Sequence, residues 1–364
     1  MPENRIKQTQ RQSIVWWGRS DREYSRNRLV LSLLKDLGWD VDFFHPASSR
    51  LGLLESYFHR PRKPALIWVP CFRQSDIASA AHWADKWRVP LVVDPLISAY
   101  QKEVFERTKW RPDSVKAGQR KKTESQLLGL ADIVIADTPA HADFFSDRLD
   151  VKTHKLAVLY VSAEDNHFSP SPLPKANNCI EVLFYGSFLP LQGIETIIKA
   201  ALQVQVQPIR WTLLGQGDLL SAMQKMAGSA KNISFEPWLD YARLPERLAR
   251  AHILLGIFGI TMKAGLVIPN KMFQSMAAGR PVITMSSEAY RDTLAGSPII
   301  GWVPPGDPDA LARLVRQWSQ DIEGLEQRGQ STRKLFEMHF GRDKTKAGLK
   351  EILAHALSIK RRCP

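Results

Sequence analysis

Short apolar runs rich in β-branched residues alternate with segments of helical periodicity along almost the whole chain. Leu29, Leu33 and Leu37 stand four apart, which predicts a helix over Tyr24–Leu37 that Gly38 is placed to end. The alternation is typical of parallel α/β architecture. The runs predicted as strands are Ser13–Trp17, Val41–His45, Leu66–Pro70, Leu91–Asp94, Ile133–Ala136, Leu156–Val161, Val182–Tyr185, Arg210–Leu214, Ile233–Phe235, Ile253–Ile257, Val282–Met285 and Ile299–Val303.

The strand pattern divides into two similar series. Between them lies Asn166–Asn178, which contains three prolines and no periodicity, so we interpret it as an interdomain linker. We expect an N-terminal Rossmann-like domain over residues 1–165, a second Rossmann-like domain over 179–320 and helices over 321–364, which end in the basic tail Lys360–Arg362. Two such domains place a ligand cleft between the carboxyl ends of both sheets.

Composition and charge narrow the possible partners. The 364 residues include 50 Lys and Arg against 37 Asp and Glu, a net charge of +13. This excess fits a polyanion, an anionic membrane surface or a phosphate-bearing substrate. The longest apolar stretches, such as Ile253–Met262, fall short of the roughly 20 residues that span a bilayer.

The termini and cysteines point to an intracellular protein. The polar N-terminal stretch lacks the apolar core of a signal peptide, so we expect a cytoplasmic location. Cys71, Cys179 and Cys363 are isolated, which predicts neither a disulfide framework nor a zinc site. We expect no metal and no cofactor.

Glycine turns follow two strands of the second series. Tyr185 leads into Gly186 and Ser187, and a second glycine at position 193 opens a helix. Gly215 follows the next strand in the same way. Glycine lets the backbone approach an anion, and the free N–H groups of the following helix favour phosphate. A plain strand-to-helix turn explains each of them equally well.

Two lysines mark a further candidate anion site. Lys263 precedes the segment in which Pro269, Asn270 and Lys271 open a helix. A cation at a helix N-terminus opposes the macrodipole, which indicates that an anion lies there. The alternative is that both lysines are solvated surface residues.

The first domain contributes candidates on the other side of the cleft. Trp17, Gly18 and Arg19 follow the first strand, where a tryptophan could stack on a sugar or lie in the core. Asp94 ends the strand at Leu91 and is a candidate proton acceptor for a substrate hydroxyl. A carboxylate that caps the next segment is the alternative.

Four ordered blocks of the second half resemble the nucleotide-sugar-binding domain of family 4 retaining glycosyltransferases. They are VLFYGSFLPLQGIETIIKA at 182–200, WTLLGQGD at 211–218, VIPNKMFQSMAAGRPVIT at 267–284 and GWVPPGD at 301–307. The match covers about residues 180–320, and the first half is similar more loosely. The chain resembles a divergent branch of this family that carries YG[ST]F-P-x-x-G and VIPNK segments. The resemblance implies the GT-B fold, in which the last helix often crosses back onto the N-terminal domain.

The resemblance also implies site residues. The donor would contact residues of the glycine turns and of the segment in which Pro269 opens a helix, with its ribose at Gln274. These residues are Gly186, Ser187, Gln192, Gly193, Gly215, Lys263 and Pro269–Lys271. Many family members have an Arg and a Lys at the positions of Ser187 and Gln192, and a ribose-binding Glu at the position of Gln274. Leu266 stands where the first Glu of the E-x7-E pattern would be. Weaker donor binding is therefore expected.

We therefore expect a metal-independent, retaining glycosyltransferase that transfers a sugar from a nucleotide diphosphate sugar to a lipid-linked or saccharide acceptor in surface polysaccharide biosynthesis. Lys263, Lys271 and Asp94 are the candidate catalytic residues, and Trp17, Gly18 and Arg19 the candidate acceptor contacts.

Two alternatives stay open. One is a glycosyltransferase-like subunit that binds a sugar nucleotide or a partner without turnover. The other is nucleic-acid binding through the basic stretch Lys102–Lys122, which is not expected because no nucleic-acid motif accompanies it. The same stretch is also a candidate contact with anionic lipid at the inner face of the membrane.

Overall fold

Two parallel β-sheets, each of six strands, form the framework of the protein. The computed structural model describes residues 12–49, 51–59, 62–107, 109–164, 166–176 and 179–359. The first sheet has the strand order β2-β1-β3-β4-β5-β6 and every pairing in it is parallel. Its strands are β1 (Ser13–Trp17), β2 (Asp40–Phe44), β3 (Leu66–Val69), β4 (Leu91–Val93), β5 (Ile133–Ala136) and β6 (Leu156–Val158).

The second sheet follows the same principle with the order β12-β11-β10-β7-β8-β9. Its pairings are also parallel. The topological switch lies between β7 and β10, where a crevice opens at the carboxyl ends of the strands. These strands are β7 (Ile180–Tyr185), β8 (Ile209–Leu214), β9 (Ile233–Glu236), β10 (Ile253–Leu255), β11 (Val282–Met285) and β12 (Gly301–Val303).

Helices connect the strands and cover both faces of each sheet. The described residues form α1 (Ser25–Asp36), α2 (Gly52–His59), α3 (Ile77–Trp87), α4 (Ala99–Gln101), α5 (Val115–Gly129), α6 (Pro139–Leu149), α7 (Ile194–Leu202), α8 (Leu220–Ala227), α9 (Leu244–Ala249), α10 (Met262–Leu266), α11 (Asn270–Ala277), α12 (Pro308–Ser319), α13 (Ile322–His339) and α14 (Arg342–Ser358). A five-residue π-helix, Lys102–Glu106, continues α4.

Burial on both faces explains why the strands are continuous apolar runs. All four residues of β3, β5 and β11 are buried. In β3, Ile67 packs into the core on one face, and Trp68 packs into the core on the other. Each sheet is thus a middle layer between helices, as parallel sheets require.

The end of the chain returns to the beginning. Helix α13 packs against α11 beside the second sheet. Helix α14 then buries Leu349 and Leu353 in the same apolar cluster as Ile14 and Trp16 of β1. The first sheet is therefore covered on one face by residues from the far end of the sequence.

The predicted α/β class and all twelve predicted strands are confirmed, with ends that differ by up to three residues. After β11, only a 3₁₀ turn forms, at Glu288–Tyr290. No helix or strand occurs in the described residues between β6 and β7. The last two linker residues and the basic tail Lys360–Arg362 lie outside the described residues. We keep the predicted domain boundaries as a proposal.

Candidate functional site

Two glycine turns meet at the carboxyl edge of the second sheet. Gly186 and Gly215 follow β7 and β8 with φ angles of 143° and 148°, which side-chain-bearing residues rarely adopt. A Cβ atom at Gly215 would overlap the carbonyl oxygen of Gly186. Gly193, with φ of 67°, precedes α7, and a Cβ atom there would overlap the backbone of Phe258 and Gly259. These glycines let three backbone segments converge on one side of the crevice.

Lys271 brings a buried cation to the same place. The residue is 6% exposed, and its Nζ donates to Oε1 of Gln192 over 2.6 Å. Nζ also lies 3.6 Å from the ring centroid of Phe184 and packs against Gly186. No carboxylate of the described residues pairs with it. Burial lowers the pKa of Lys271 well below its usual value, because no nearby anion stabilises the charged form.

Gln274 lies one turn further along α11, in a buried polar environment. Gln274 is 8% exposed, and its Oε1 accepts a hydrogen bond of 3.2 Å from the hydroxyl of Tyr185. The same hydroxyl lies 3.0 Å from the carbonyl oxygen of Lys271. Burial raises the pKa of Tyr185, so its hydroxyl keeps its proton and acts as a donor. Tyr185 thus contacts the side chain of Gln274 and the backbone of Lys271.

The first turns of α10 and α11 contact the N-terminal half. Lys263 pairs with Glu106 of the π-helix, with 2.6 Å between Nζ and Oε2. The amide of Asn270 lies 3.2 Å from the hydroxyl of Ser25 at the start of α1. Thr138, which caps α6, donates to the carbonyl oxygen of Leu266. The cleft is therefore bridged by direct contacts along α10.

The other donor candidates lie around this turn. Ser187 is half-buried in the loop after β7, and Pro269 is the N-cap residue of α11. Pro269 has no N–H, so it leaves no unpaired backbone donor of its own at the start of α11. The structure thus brings Gly186, Lys271 and Gln192 into contact, while Lys263 faces the opposite half.

The acceptor candidates need a correction. Trp17 is fully buried in the core of the first half, where its indole Nε1 donates to Ser79 over 2.9 Å. A ring in this position cannot stack on a ligand in the cleft. Gly18, with φ of 128°, is buried beside Arg73, whereas Arg19 is exposed. Strand alternation places Trp17 inward, and Arg19 is the accessible member of the three.

Asp94 is also not a free carboxylate. It is almost fully buried, and its Oδ2 accepts a hydrogen bond of 2.8 Å from Nε of Arg26 on α1. Arg26 in turn donates to the carbonyl oxygens of Leu159 and Tyr160. Burial raises the pKa of Asp94, and Arg26 opposes that shift. The pair ties β4 to α1 and the end of β6, so we assign Asp94 a structural role in place of proton transfer.

Two contacts of the cleft were not predicted from the sequence. They are the ion pair of Glu106 with Lys263 and the hydrogen bond of Tyr185 to Gln274. A further junction joins Arg28 of α1, Glu164 just before the predicted linker and Tyr241, whose hydroxyl donates to Glu164 over 2.8 Å. These groups come from distant parts of the chain, so only the folded arrangement reveals them.

Within the described ranges, no group of three or more His, Cys, Asp or Glu side chains is arranged to hold a metal ion. The helices of these ranges include none with the length and apolar character needed to cross a membrane.

Residues 180–321 match the model of the family described as glycosyl transferases group 1. A probable glycosyltransferase of Pseudomonas aeruginosa, WbjE, is 30% identical over 165 residues, which are 43% of this chain and 40% of that protein. A putative colanic acid biosynthesis glycosyl transferase of Escherichia coli K12, WcaI, is 27% identical over 146 residues, 37% of this chain and 34% of that protein. The matches thus span less than half of these relatives.

Solved structures match nearly the full chain. HepE of Anabaena in complex with UDP has a TM-score of 0.70 at 14% identity and covers 94% of this chain and 100% of its own. Sucrose-phosphate synthase of Thermosynechococcus elongatus has a TM-score of 0.69 at 17% identity, over 95% and 99%. The predicted GT-B fold is therefore confirmed, with two parallel six-stranded sheets that face one cleft.

Proposed function

We propose that this protein is a glycosyltransferase that binds a nucleotide diphosphate sugar on its second half. The observation that carries the proposal is the buried side-chain nitrogen of Lys271, which has a hydrogen-bond partner in Gln192 but no carboxylate partner among the described residues. A lysine in this position is costly unless an anion joins it. A diphosphate between Lys271 and the Gly186 turn would supply that charge.

The remaining donor contacts follow from the same geometry. The hydroxyl of Ser187 and the amide of Asn270 would donate to phosphate oxygens, and Gln274 would contact the ribose. Uridine diphosphate is the first nucleotide to test, because structural neighbours bind UDP and UDP-glucose. In the reaction, the bond from the anomeric carbon to the diphosphate oxygen breaks, the oxygen of an acceptor hydroxyl forms the new bond to that carbon, and the hydroxyl proton passes to the leaving diphosphate. Lys271 would stabilise the charge that grows on the leaving diphosphate.

The acceptor and the stereochemistry are further parts of the proposal. The resemblance to the family supports retention of the anomeric configuration without a metal ion. The two curated relatives carry names that place one in colanic acid biosynthesis and describe both as glycosyltransferases. A lipid-linked or saccharide acceptor of surface polysaccharide assembly is the class we propose.

Two experiments test the proposal. Calorimetry measures the binding of UDP and of a panel of UDP-sugars to the full chain, and an activity assay measures UDP release with saccharide and lipid-linked acceptors. We expect UDP binding and acceptor-dependent UDP release, both reduced by Lys271→Met. The exposed Lys225 on α8 offers a matched control, Lys225→Met, which should behave as the wild type. Absence of any nucleotide binding would overturn the proposal.

A second candidate is a binding subunit without turnover. It is favoured by the uncharged residues Ser187, Gln192 and Gln274 at positions where many family members have charged side chains. UDP-sugar binding without product for every acceptor would support this candidate over the enzyme.

A further inference from the structure

An exposed apolar stripe lies on α2, away from the residues of the candidate nucleotide site. Leu51, Leu54 and Phe58 follow one another at helical spacing, and Tyr57 stands beside them. Leu54 is 60% exposed and Phe58 86%. Large apolar side chains exposed singly are common on protein surfaces, but four within eight residues form a contiguous patch that indicates an interaction site.

The inner side of α2 is fixed to the protein. Ser56 is fully buried and accepts a hydrogen bond from the indole of Trp83 on α3. Leu53 packs against the core of the first half. The orientation of α2 is thus set by packing, so Leu54 and Phe58 face outward in the folded protein.

The charges around the stripe are positive. Arg62 and Lys63 follow the helix and are exposed, and the ammonium of Lys86 lies 4.7 Å from the ring centroid of Tyr57. In the sequence, Arg50 and Arg60 also flank the helix. Glu55 is the one acidic residue of α2. Its carboxylate accepts hydrogen bonds from the backbone N–H groups of Ala47 and Ser48, in the loop ahead of the helix.

We propose that α2 docks the protein on an anionic phospholipid surface, with Leu51, Leu54, Tyr57 and Phe58 inserted into the interface and the flanking cations on the headgroups. An amphipathic helix with an apolar face and basic edges has the composition that binds such surfaces. A second copy of the chain fits less well, because pairing through α2 would bring two sets of cations together.

This assignment differs from the lipid contact expected at Lys102–Lys122. There, Arg120 pairs with Glu103, and Trp110 packs against the core. Val115 is the large apolar side chain that this stretch exposes among its described residues. It offers cations without a cluster of side chains for insertion, whereas α2 offers both.

Helix α2 also begins near the cleft. Ser49, just before the helix, accepts a hydrogen bond from Arg73, whose side chain packs against Gly18. A protein docked through α2 would therefore hold its cleft close to lipid-linked acceptors in the membrane. This part of the inference rests on the proposed function. The docking itself does not depend on it.

The test is co-sedimentation of the full chain with vesicles of phosphatidylcholine alone and of an equimolar mixture with phosphatidylglycerol. We expect the wild type to bind the anionic vesicles. The partition coefficient of the double variant Leu54→Ser/Phe58→Ser should be lower by about tenfold or more. Both side chains are exposed, so the variant should fold, which far-UV circular dichroism checks. Val206→Ser removes a 93% exposed apolar residue from the other half and should bind as the wild type.

Charge variants separate insertion from general attraction. Arg62→Glu/Lys63→Glu should weaken binding, while Lys121→Glu/Lys122→Glu should change it by less than about twofold. Wild-type binding by Leu54→Ser/Phe58→Ser would overturn the proposal. The proposal would also be overturned if sedimentation velocity showed changed self-association of this variant while its lipid binding stayed the same. That result would assign α2 to contact with a second copy of the chain. UDP titration of the same variant reports on the proposed function separately, because it is measured without lipid.

Discussion

The ammonium of Lys263 and the carboxylate of Glu106 meet across the cleft at 2.6 Å, and each belongs to a different half of the protein. Lys263 is also one of the two lysines that the sequence resemblance assigns to the donor diphosphate. A bound diphosphate and Glu106 would therefore compete for the same ammonium. This competition makes the ion pair a site at which donor binding and domain contact are coupled.

Replacement of Glu106 tests this coupling. We expect Glu106→Gln to strengthen UDP binding by roughly threefold to tenfold, because the phosphate no longer competes with a carboxylate for Lys263. Isothermal titration calorimetry measures the change.

The matched control for Glu106→Gln is Asp143→Asn. It removes the ion pair between Asp143 and Arg291, another contact between the halves, and leaves Lys263 in place. If both variants strengthen UDP binding equally, loosening of the two halves is the cause, and Lys263 has no direct role with the phosphate.

Lys271 predicts proton uptake on nucleotide binding. Its pKa is lowered by burial in the free protein, and a diphosphate would raise it again. At a pH between these two values, binding adds a proton to Lys271, and UDP affinity falls as the pH rises through this window. Calorimetry in buffers of different ionisation enthalpy measures the number of protons.

The control for this prediction is the comparison of Lys271→Met with Lys225→Met. UDP phosphates also titrate, so the contribution of Lys271 is the difference between the two variants. We expect Lys271→Met to bind UDP about tenfold to a hundredfold more weakly and to lose the extra uptake. Equal proton uptake in both variants would contradict the placement of phosphate at Lys271.

Lys271 also affects how the free energy of unfolding depends on pH. The sign of this effect is opposite to that of a lysine paired with a carboxylate. The unfolded chain holds the proton at its ordinary pKa, while the folded chain releases it at a lower pH. Since the unfolded state then binds more protons, the free energy of unfolding without nucleotide should rise with pH in that interval. Urea unfolding of the wild type and of Lys271→Met at several pH values measures this slope, which the variant should lack.

Gln274 offers a gain of function. A carboxylate accepts a hydrogen bond from a ribose hydroxyl more strongly than an amide oxygen does, and Tyr185 can donate to either. We expect Gln274→Glu to strengthen UDP binding by about fivefold, which corresponds to about 1 kcal/mol. Gln274→Leu should weaken it. Unchanged affinity in both variants would show that the ribose lies elsewhere.

Asp94 distinguishes a structural carboxylate from a catalytic one. Asp94→Asn would leave Arg26 buried without its counter-ion, and we expect a loss of about 3 kcal/mol in the free energy of unfolding. Urea denaturation measures it. A variant with wild-type stability but no sugar transfer would show instead that Asp94 acts on the substrate.

The sequence predicted the sheets well because their strands are buried on both faces and appear as uninterrupted apolar runs. Helix α2 was not predicted from the sequence, and several of its apolar residues, which would normally mark a buried face, point outward. Asp94 was misjudged because its partner Arg26 lies 68 residues earlier, a distance over which no local pattern connects two charges. Lys271 and Gln192 are likewise separated by 79 residues, so only the folded structure reveals their hydrogen bond.

The return of α14 to the first sheet affects how the protein is made. Ribosomal synthesis completes β1 to β6 early, yet Ile14 and Trp16 obtain part of their apolar cover only from Leu349, Ile352 and Leu353. Until α14 leaves the exit tunnel, the nascent N-terminal half presents an uncovered apolar face to chaperones and to neighbouring chains. Full burial of this face therefore waits for α14, and we expect a chain truncated before α14 to aggregate more readily than the full chain.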